Sequence, residues 1–297
     1  MTAWIRRTRS GSVWGGSGIV LPVNSEGSTV QVGGVMLFVR ELGEQRSNRT
    51  SLLVLHGGPD VGHSYLLPGV EPLARDHHVV LFDFRGCGRS SRGLTDDALQ
   101  PEYVIEDAHE LIGQLGLGPV DVLGFSTGGR AAIELVRRFP RDVRRLILAS
   151  TSAYPASDAD PYLRDWNEPQ RRQALEDAAG GALRNSTLFV WNLDLAPAYV
   201  ELVENLDDGD WSYERWLTGA MHPWVNGDPE QILVEFGGRV LILHGAKDMG
   251  FPVQLAERLH RKLPDCEIAI IEEAAHMCHF ENPDTWADRI RSFVGRV

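Results

Sequence analysis

Short apolar runs alternate along this chain with longer stretches in which apolar residues recur every three or four positions. The runs are STVQV (28–32), VMLFVREL (35–42), SLLVLHG (51–57), HVVLFDF (78–84), VDVLGFS (120–126), VRRLILAS (143–150), RVLILHG (239–245) and EIAIIEE (267–273). Most are rich in Val, Ile and Leu with little polar alternation, the pattern of strands buried on both faces of a mostly parallel sheet. Between them, 102–116 and 128–139 carry apolar residues at helical spacing, and 283–294 does so behind a proline at its first position. Strands that alternate with helices predict an α/β fold, a mostly parallel central sheet flanked by helices, with ligands bound at the carboxyl ends of the strands.

The alternation breaks between residues 151 and 235, where the pattern is irregular and mainly helical. The sheet pattern resumes afterwards, so 151–235 is expected to be a cap inserted into a core formed by 1–150 and 236–297. Charge marks the same segment. The whole chain of 297 residues carries a net −12, and 151–235 holds 16 Asp/Glu against 5 Arg and no Lys, a net of −11. It also holds Trp166, Trp191, Trp211, Trp216 and Trp224. An acidic, aromatic cap suits a small cationic substrate, and it equally serves to keep the segment soluble.

The charge balance makes nucleic acid and anionic membrane poor partners, since both demand a basic footprint. No apolar run approaches the roughly 20 residues of a membrane span. The start of the chain lacks the apolar stretch of a cleaved secretory leader. Cys87, Cys266 and Cys278 are odd in number and without CxxC spacing, against both a disulfide framework and a zinc site. A cytoplasmic protein with no cofactor or metal is expected, and its oligomeric state is open. His63, His77, His78 and His222 are scattered and read as surface or loop residues.

The strongest chemical signal is Gly124-Phe125-Ser126-Thr127-Gly128-Gly129, where a strand gives way to a helix. A serine nucleophile needs its hydroxyl on such a turn, with small neighbours and a helix N-terminus that favours developing negative charge. The plain alternative is a helix-capping serine. A nucleophile needs a base and the base an orienting acid. Asp248 follows the strand 239–245 and His276 follows the strand 267–273, so Ser126, Asp248 and His276 each stand at the carboxyl end of a strand, in one of the chain orders known for this constellation. His279 competes for the base but lies a helical turn further on. Glu272 and Glu273 compete for the acid from a worse position, within or at the end of the strand. Two N–H donors must face the oxyanion. They are assigned to Thr127 and to Gly58, which lies in the loop His56-Gly57-Gly58-Pro59-Asp60. The turn from Asp83 to Ser90 reads as a structural loop in which Asp83 and Arg85 pair or cap.

On these residues the chain resembles the α/β-hydrolase fold family from residue 28 to its end, with the cap as the variable part. Within that family, HGGP at 56–59 and DFRGCGRS at 83–90 resemble the proline iminopeptidase group, which has HGGPG and DQRGCGRS. Asp60, Phe84 and GFSTGG depart from that pattern, and GFSTGG is closer to esterases. His276 with Glu281 and Pro283 is similar to the family's His-x4-Glu-x-Pro ending. The resemblance implies a cofactor-free serine hydrolase, either an aminopeptidase acting on small peptides or a hydrolase of small esters, lactones or C–C bonds. A serine at 126 argues against the dehalogenases and epoxide hydrolases, which use aspartate. For an aminopeptidase, Glu201, Glu204 and Glu214 are the candidate carboxylates for the substrate amine. A non-catalytic binding module is the remaining class, and a Ser–His–Asp set has no use in one.

Overall fold

The computed structural model describes residues 27–58, 61–165, 168–177, 188–204, 206 and 225–295. Eight strands form one sheet: β1 (Ser28–Val32), β2 (Val35–Leu42), β3 (Leu52–Leu55), β4 (Val79–Phe82), β5 (Val120–Phe125), β6 (Val143–Ala149), β7 (Arg239–Gly245) and β8 (Cys266–Ile271). Their order is β1-β2-β4-β3-β5-β6-β7-β8. The pairs β1/β2 and β2/β4 are antiparallel, and all other pairs are parallel. The strands match the apolar runs, except that several runs outlast their strand by a residue or two. His56, Gly57, Asp83 and Ser126 are such surplus residues, and they lie just past the carboxyl ends of β3, β4 and β5.

Successive residues of a strand point to opposite faces, so one sheet feeds two cores. A short helix α1 (Leu67–Val70) lies between β3 and β4, and Val122, Leu146 and Leu148 join the core beneath α2 (Pro101–Gln114) and α3 (Thr127–Arg138). Leu123, Phe125 and Ile147 join the other, which is closed by Trp286, Ile290 and Phe293 of the C-terminal helix (Pro283–Val294). The strand order reverses at β3: β4 lies to one side of it and β5 to the other. Loops leaving β3 and β5 therefore diverge over adjacent strand ends and open a crevice at the carboxyl edge.

Between β6 and β7 lie α4 (Ala156–Asp165), α5 (Pro169–Asp177), α6 (Ala196–Glu204) and α7 (Pro229–Phe236). Helix α7 packs along α3 and sends Leu233, buried, into the first core. It is a sheet-flanking helix: Asp228 caps its start by accepting the Glu230 N–H at 2.9 Å, and Gly237 ends it at φ 64°. The boundary read from sequence at 235/236 thus cuts through a core helix, because an eight-residue helix beside an irregular segment carries too little pattern to be separated from it. After β7 come α8 (Val253–Lys262), the short α9 (Cys278–Glu281) and α10 (Pro283–Val294).

Leu233→Ala is expected to cost about 2–4 kcal/mol in urea denaturation, the range for a buried leucine whose cavity does not collapse. A loss below about 0.5 kcal/mol would place α7 outside the core.

Candidate active site

Strand β5 turns into α3 at Ser126, whose backbone is held at φ 56° and ψ −123°. Ser126 and Ser150 are the two non-glycine residues with positive φ among those described. Such a conformation costs on the order of 1–3 kcal/mol and persists only where its surroundings over-determine it. Here the Ser126 N–H donates to Ala149 O at 2.9 Å, and Thr151 Oγ1 donates to Ser126 O at 2.6 Å. The first turn of α3 presses on the end of β3, so a Cβ at Gly128 would stand 2.2 Å from Leu55 O. The turn excludes any larger residue there.

The Ser126 hydroxyl lies 3.1 Å from His276 Nε2, and His276 Nδ1 lies 2.8 Å from Asp248 Oδ2. With Asp248 ionised, Nδ1 carries the proton and donates, which leaves the Nε2 lone pair to accept from the serine. Asp248 is fully buried. Burial pushes its carboxyl up, but His276 beside it and the backbone N–H of Phe251 outweigh burial and hold it below the usual carboxylate value. Its second oxygen accepts the N–H groups of Gly250 and Phe251 at 2.9 and 2.8 Å. His244 Nε2 donates to Phe251 O at 2.7 Å and bounds the same carboxylate at 3.5 Å. The rings of Phe125, Phe189 and Phe251 surround the His276 imidazole at centroid distances of 5.2, 5.8 and 5.4 Å.

His279 takes a different place. Its Nε2 donates to Tyr65 O at 3.1 Å, it is fully buried against Phe125, and burial pushes its pKa down to about 3. It is a neutral packing residue. Glu272 and Glu273 are exposed.

The loop after β3 is braced from two sides. Phe84 N–H donates to His56 Nε2 at 3.0 Å, so Nδ1 holds the His56 proton and donates to Gly57 O at 2.9 Å. Tyr65 Oη accepts the Gly57 N–H at 2.8 Å. That amide is spent, whereas no bond among the described residues occupies the N–H of Gly58, which sits at φ +78°. Thr127 opens α3, so its N–H has no acceptor inside the helix. Asp83 and Arg85 do not pair with each other. Asp83 Oδ1 accepts from the His63 backbone N–H and Nδ1 at 2.8 and 2.7 Å, and its Oδ2 accepts the Arg89 N–H at 2.9 Å. Arg85 instead forms a bidentate pair with Asp107 at 2.7 and 2.5 Å. His63 and His78 are loop residues but buried, because each has a polar partner: Asp83 for His63, and Ser51 with Glu41 for His78. His222 lies outside the described residues.

Tyr65 and Glu281 are the residues that pattern reading did not bring to the site. Glu281 Oε1 accepts the N–H groups of Trp191 and Asn192, each at 2.8 Å, and Oε2 accepts that of Ala275 at 2.6 Å. One buried carboxylate thereby ties the inserted segment to the residue preceding His276. Met277 N–H donates to Phe189 O at 3.0 Å and doubles that tie. Burial raises the Glu281 carboxyl, and the three amides only partly offset it. The ENP string after His276 marks Glu281, but its partners lie far away in the chain and leave no local trace. Glu201 and Glu204 are exposed on α6, which buries Tyr199 and Val203 instead. Glu214 lies outside the described residues, as do Trp166, Trp211, Trp216, Trp224 and Asp60. Among the described residues, no cluster of three or more His, Cys, Asp or Glu is placed to hold a metal, and no helix is long and apolar enough to cross a membrane.

Glu281→Gln turns an amide NH₂ toward a backbone N–H and is expected to cost about 1–3 kcal/mol in urea denaturation. Glu272→Gln, on the exposed surface, should stay within about 0.5 kcal/mol of wild type. Equal effects of the two would remove the tether assigned to Glu281.

The sequence and the fold have counterparts in known proteins. The chain is 23% identical over 296 residues to the proline iminopeptidase of Saccharolobus solfataricus, spanning 93% of this chain and 94% of that one. Its fold superposes on the proline iminopeptidase of Mycobacterium smegmatis with a TM-score of 0.71 at 21% identity, covering 91% of this chain and 97% of the other. A thermophilic esterase from Thermogutta terrifontis superposes comparably, with a TM-score of 0.70 at 23% identity over 90% of this chain and 98% of that one. The family model for the alpha/beta hydrolase fold matches residues 50–283, which include strands β3 to β8. The chain belongs to the alpha/beta hydrolase fold family.

Proposed function

We propose that this chain is a serine hydrolase that works through an acyl-enzyme. The observation that carries the reading is the unbroken contact from Asp248 Oδ2 through His276 to Ser126 Oγ, at 2.8 and 3.1 Å. In this reading Ser126 Oγ attacks a carbonyl carbon while His276 Nε2 takes its proton. Asp248 stabilises the imidazolium without itself taking the proton. The N–H groups of Gly58 and Thr127 receive the oxyanion, the contribution that matters most in a site with little water. His276 then returns the proton to the leaving group, and water releases the acyl group by the same path in reverse. The inserted segment acts as a lid: Phe189 abuts the imidazole, and Phe125 and Phe251 complete an apolar surround that strengthens these charge interactions.

The substrate reading is removal of an N-terminal residue, proline foremost, from small peptides or amides. It is supported by the HGGP and RGCGRS strings and by the relatives named proline iminopeptidase. Hydrolysis of a small ester is the second reading. It is favoured by the GFSTGG turn and by the exposed positions of Glu201 and Glu204 on α6.

Ser126→Ala should abolish labelling by a fluorophosphonate and lower kcat by about 10⁴- to 10⁶-fold with the fold intact. His276→Ala should be nearly as damaging, and Asp248→Asn should cost orders of magnitude, since an amide cannot stabilise the imidazolium. His279→Ala should retain labelling; the reverse outcome for the two histidines would move the base. Turnover of prolyl-naphthylamide against p-nitrophenyl acetate separates the two substrate readings. Equal turnover of prolyl amides and their N-acetylated forms would remove the aminopeptidase.

A further inference from the structure

Arg130 stands on α3, four residues beyond Ser126 and within the first turns of the helix. Its Nε donates to Ser152 O at 2.9 Å and its Nη2 to Tyr154 O at 3.1 Å, both on the chain leaving β6. Neither acceptor is charged. Its Cζ lies 5.7 Å from the centre of the Phe251 ring, and the same ring lies 5.4 Å from the His276 imidazole. The guanidinium carbon is therefore no more than about 11 Å from the imidazole centre, on the side where Phe251 borders the site.

Arg130 differs from several other arginines in its charged surroundings. Arg85, Arg137 and Arg145 each face a carboxylate: Asp107, Glu134 and Asp121. Among the described residues no Asp or Glu lies within ion-pair distance of Arg130. The acids on its side of the molecule, Asp158 and Glu230, are engaged by Arg258, and Glu230 also by Lys262 and the Tyr154 hydroxyl. Arg130 is half-buried, and burial lowers its pKa with no charged group opposing. Two carbonyl bonds explain how the side chain is held in place. They do not explain why a full positive charge is held there, partly out of water, when such charges are ordinarily paired. A guanidinium fork with Nε and Nη2 fixed still presents Nη1, in the plane suited to a carboxylate.

We propose that Arg130 binds a carboxylate carried by the substrate, a few bonds from the carbonyl that Ser126 attacks. The proposal rests on the serine hydrolase reading and narrows it. Two kinds of substrate carry such a group: a short peptide with a free C-terminus, and the half-ester of a small dicarboxylic acid. Residues 151–235, net −11, repel anions at long range, so a preference for a carboxylate has to come from a local contact of this kind.

The experiment compares kcat/KM within two matched pairs, for wild type, Arg130→Met and Arg130→Lys. The pairs are Pro-Gly-Gly with its C-terminal amide, and p-nitrophenyl hydrogen adipate with p-nitrophenyl hexanoate. Wild type is expected to favour the charged member of one pair by about tenfold or more, the effect of a partly desolvated ion pair. Arg130→Met should bring that ratio near one, and Arg130→Lys should recover part of it. A within-pair ratio is insensitive to the fraction of enzyme that folds. A preference in the peptide pair assigns the carboxylate to a peptide terminus, and a preference in the ester pair assigns it to a half-ester. No preference in either pair, or a preference that survives in Arg130→Met, overturns the proposal while neutral turnover leaves the Ser126 reading standing. Failure of wild type to hydrolyse any of the four or to react with a fluorophosphonate overturns the Ser126 reading, and this proposal with it.

Discussion

The backbone at Ser126 is the constraint on which the rest of the site depends. A strand can pass into a helix within one residue only if that residue accepts a left-handed φ and the helix can press against the neighbouring strand. The second condition falls on Gly128, where a Cβ would sit 2.2 Å from a β3 carbonyl. The first is met by Ser126 itself, pinned by bonds to β6 and to Thr151. Because the turn is this tight, the serine hydroxyl projects from the carboxyl edge of the sheet and the N-terminus of α3 opens beside it. The strand-order reversal at β3 then brings the His56–Gly58 loop to the same crevice.

Buried charge around that turn is handled in one recurrent way. Asp248, Asp83 and Glu281 each lose water and gain backbone N–H donors in return. Burial alone would raise all three carboxyls. Where a histidine adds its own bond, at Asp248 and Asp83, the carboxyl ends below its ordinary value; where only amides are present, at Glu281, it ends above. The three carboxylates serve three tasks: Asp248 faces the histidine, Asp83 holds the turn that braces His56, and Glu281 joins the inserted segment to the histidine loop. Arg130 is the contrasting case, a charge given carbonyl partners and, among the described residues, no opposite charge.

The inserted segment is continuous with the site. Residues 189–192 touch the histidine loop through Phe189, through the Met277 N–H and through Glu281. A displacement of this stretch would reach His276 through three independent contacts, so the position of the segment and the geometry of the imidazole are coupled.

Much of this was legible along the chain, for a definite reason. Strands buried on both faces show as continuous apolar runs, and the residues at the end of such a run or just past it stand at the carboxyl edge; Ser126, Asp248 and His276 could be singled out on that rule. The rule fails where an element is short or its partners are remote. Helix α7 could not be told from the irregular segment before it, and Asp83 and Arg85, two residues apart, pair with different partners. The sequence by itself determined the fold class, the order of the strands along the chain and which side chains end them, because those follow from local periodicity. Tertiary structure alone decided that Tyr65 holds Gly57, that His56 carries its proton on Nδ1, that Glu281 bridges residues 191–192 to 275, and that Arg130 has no countercharge among the described residues. Each depends on where distant segments meet, and burial sets the strength of a polar contact only after they have met.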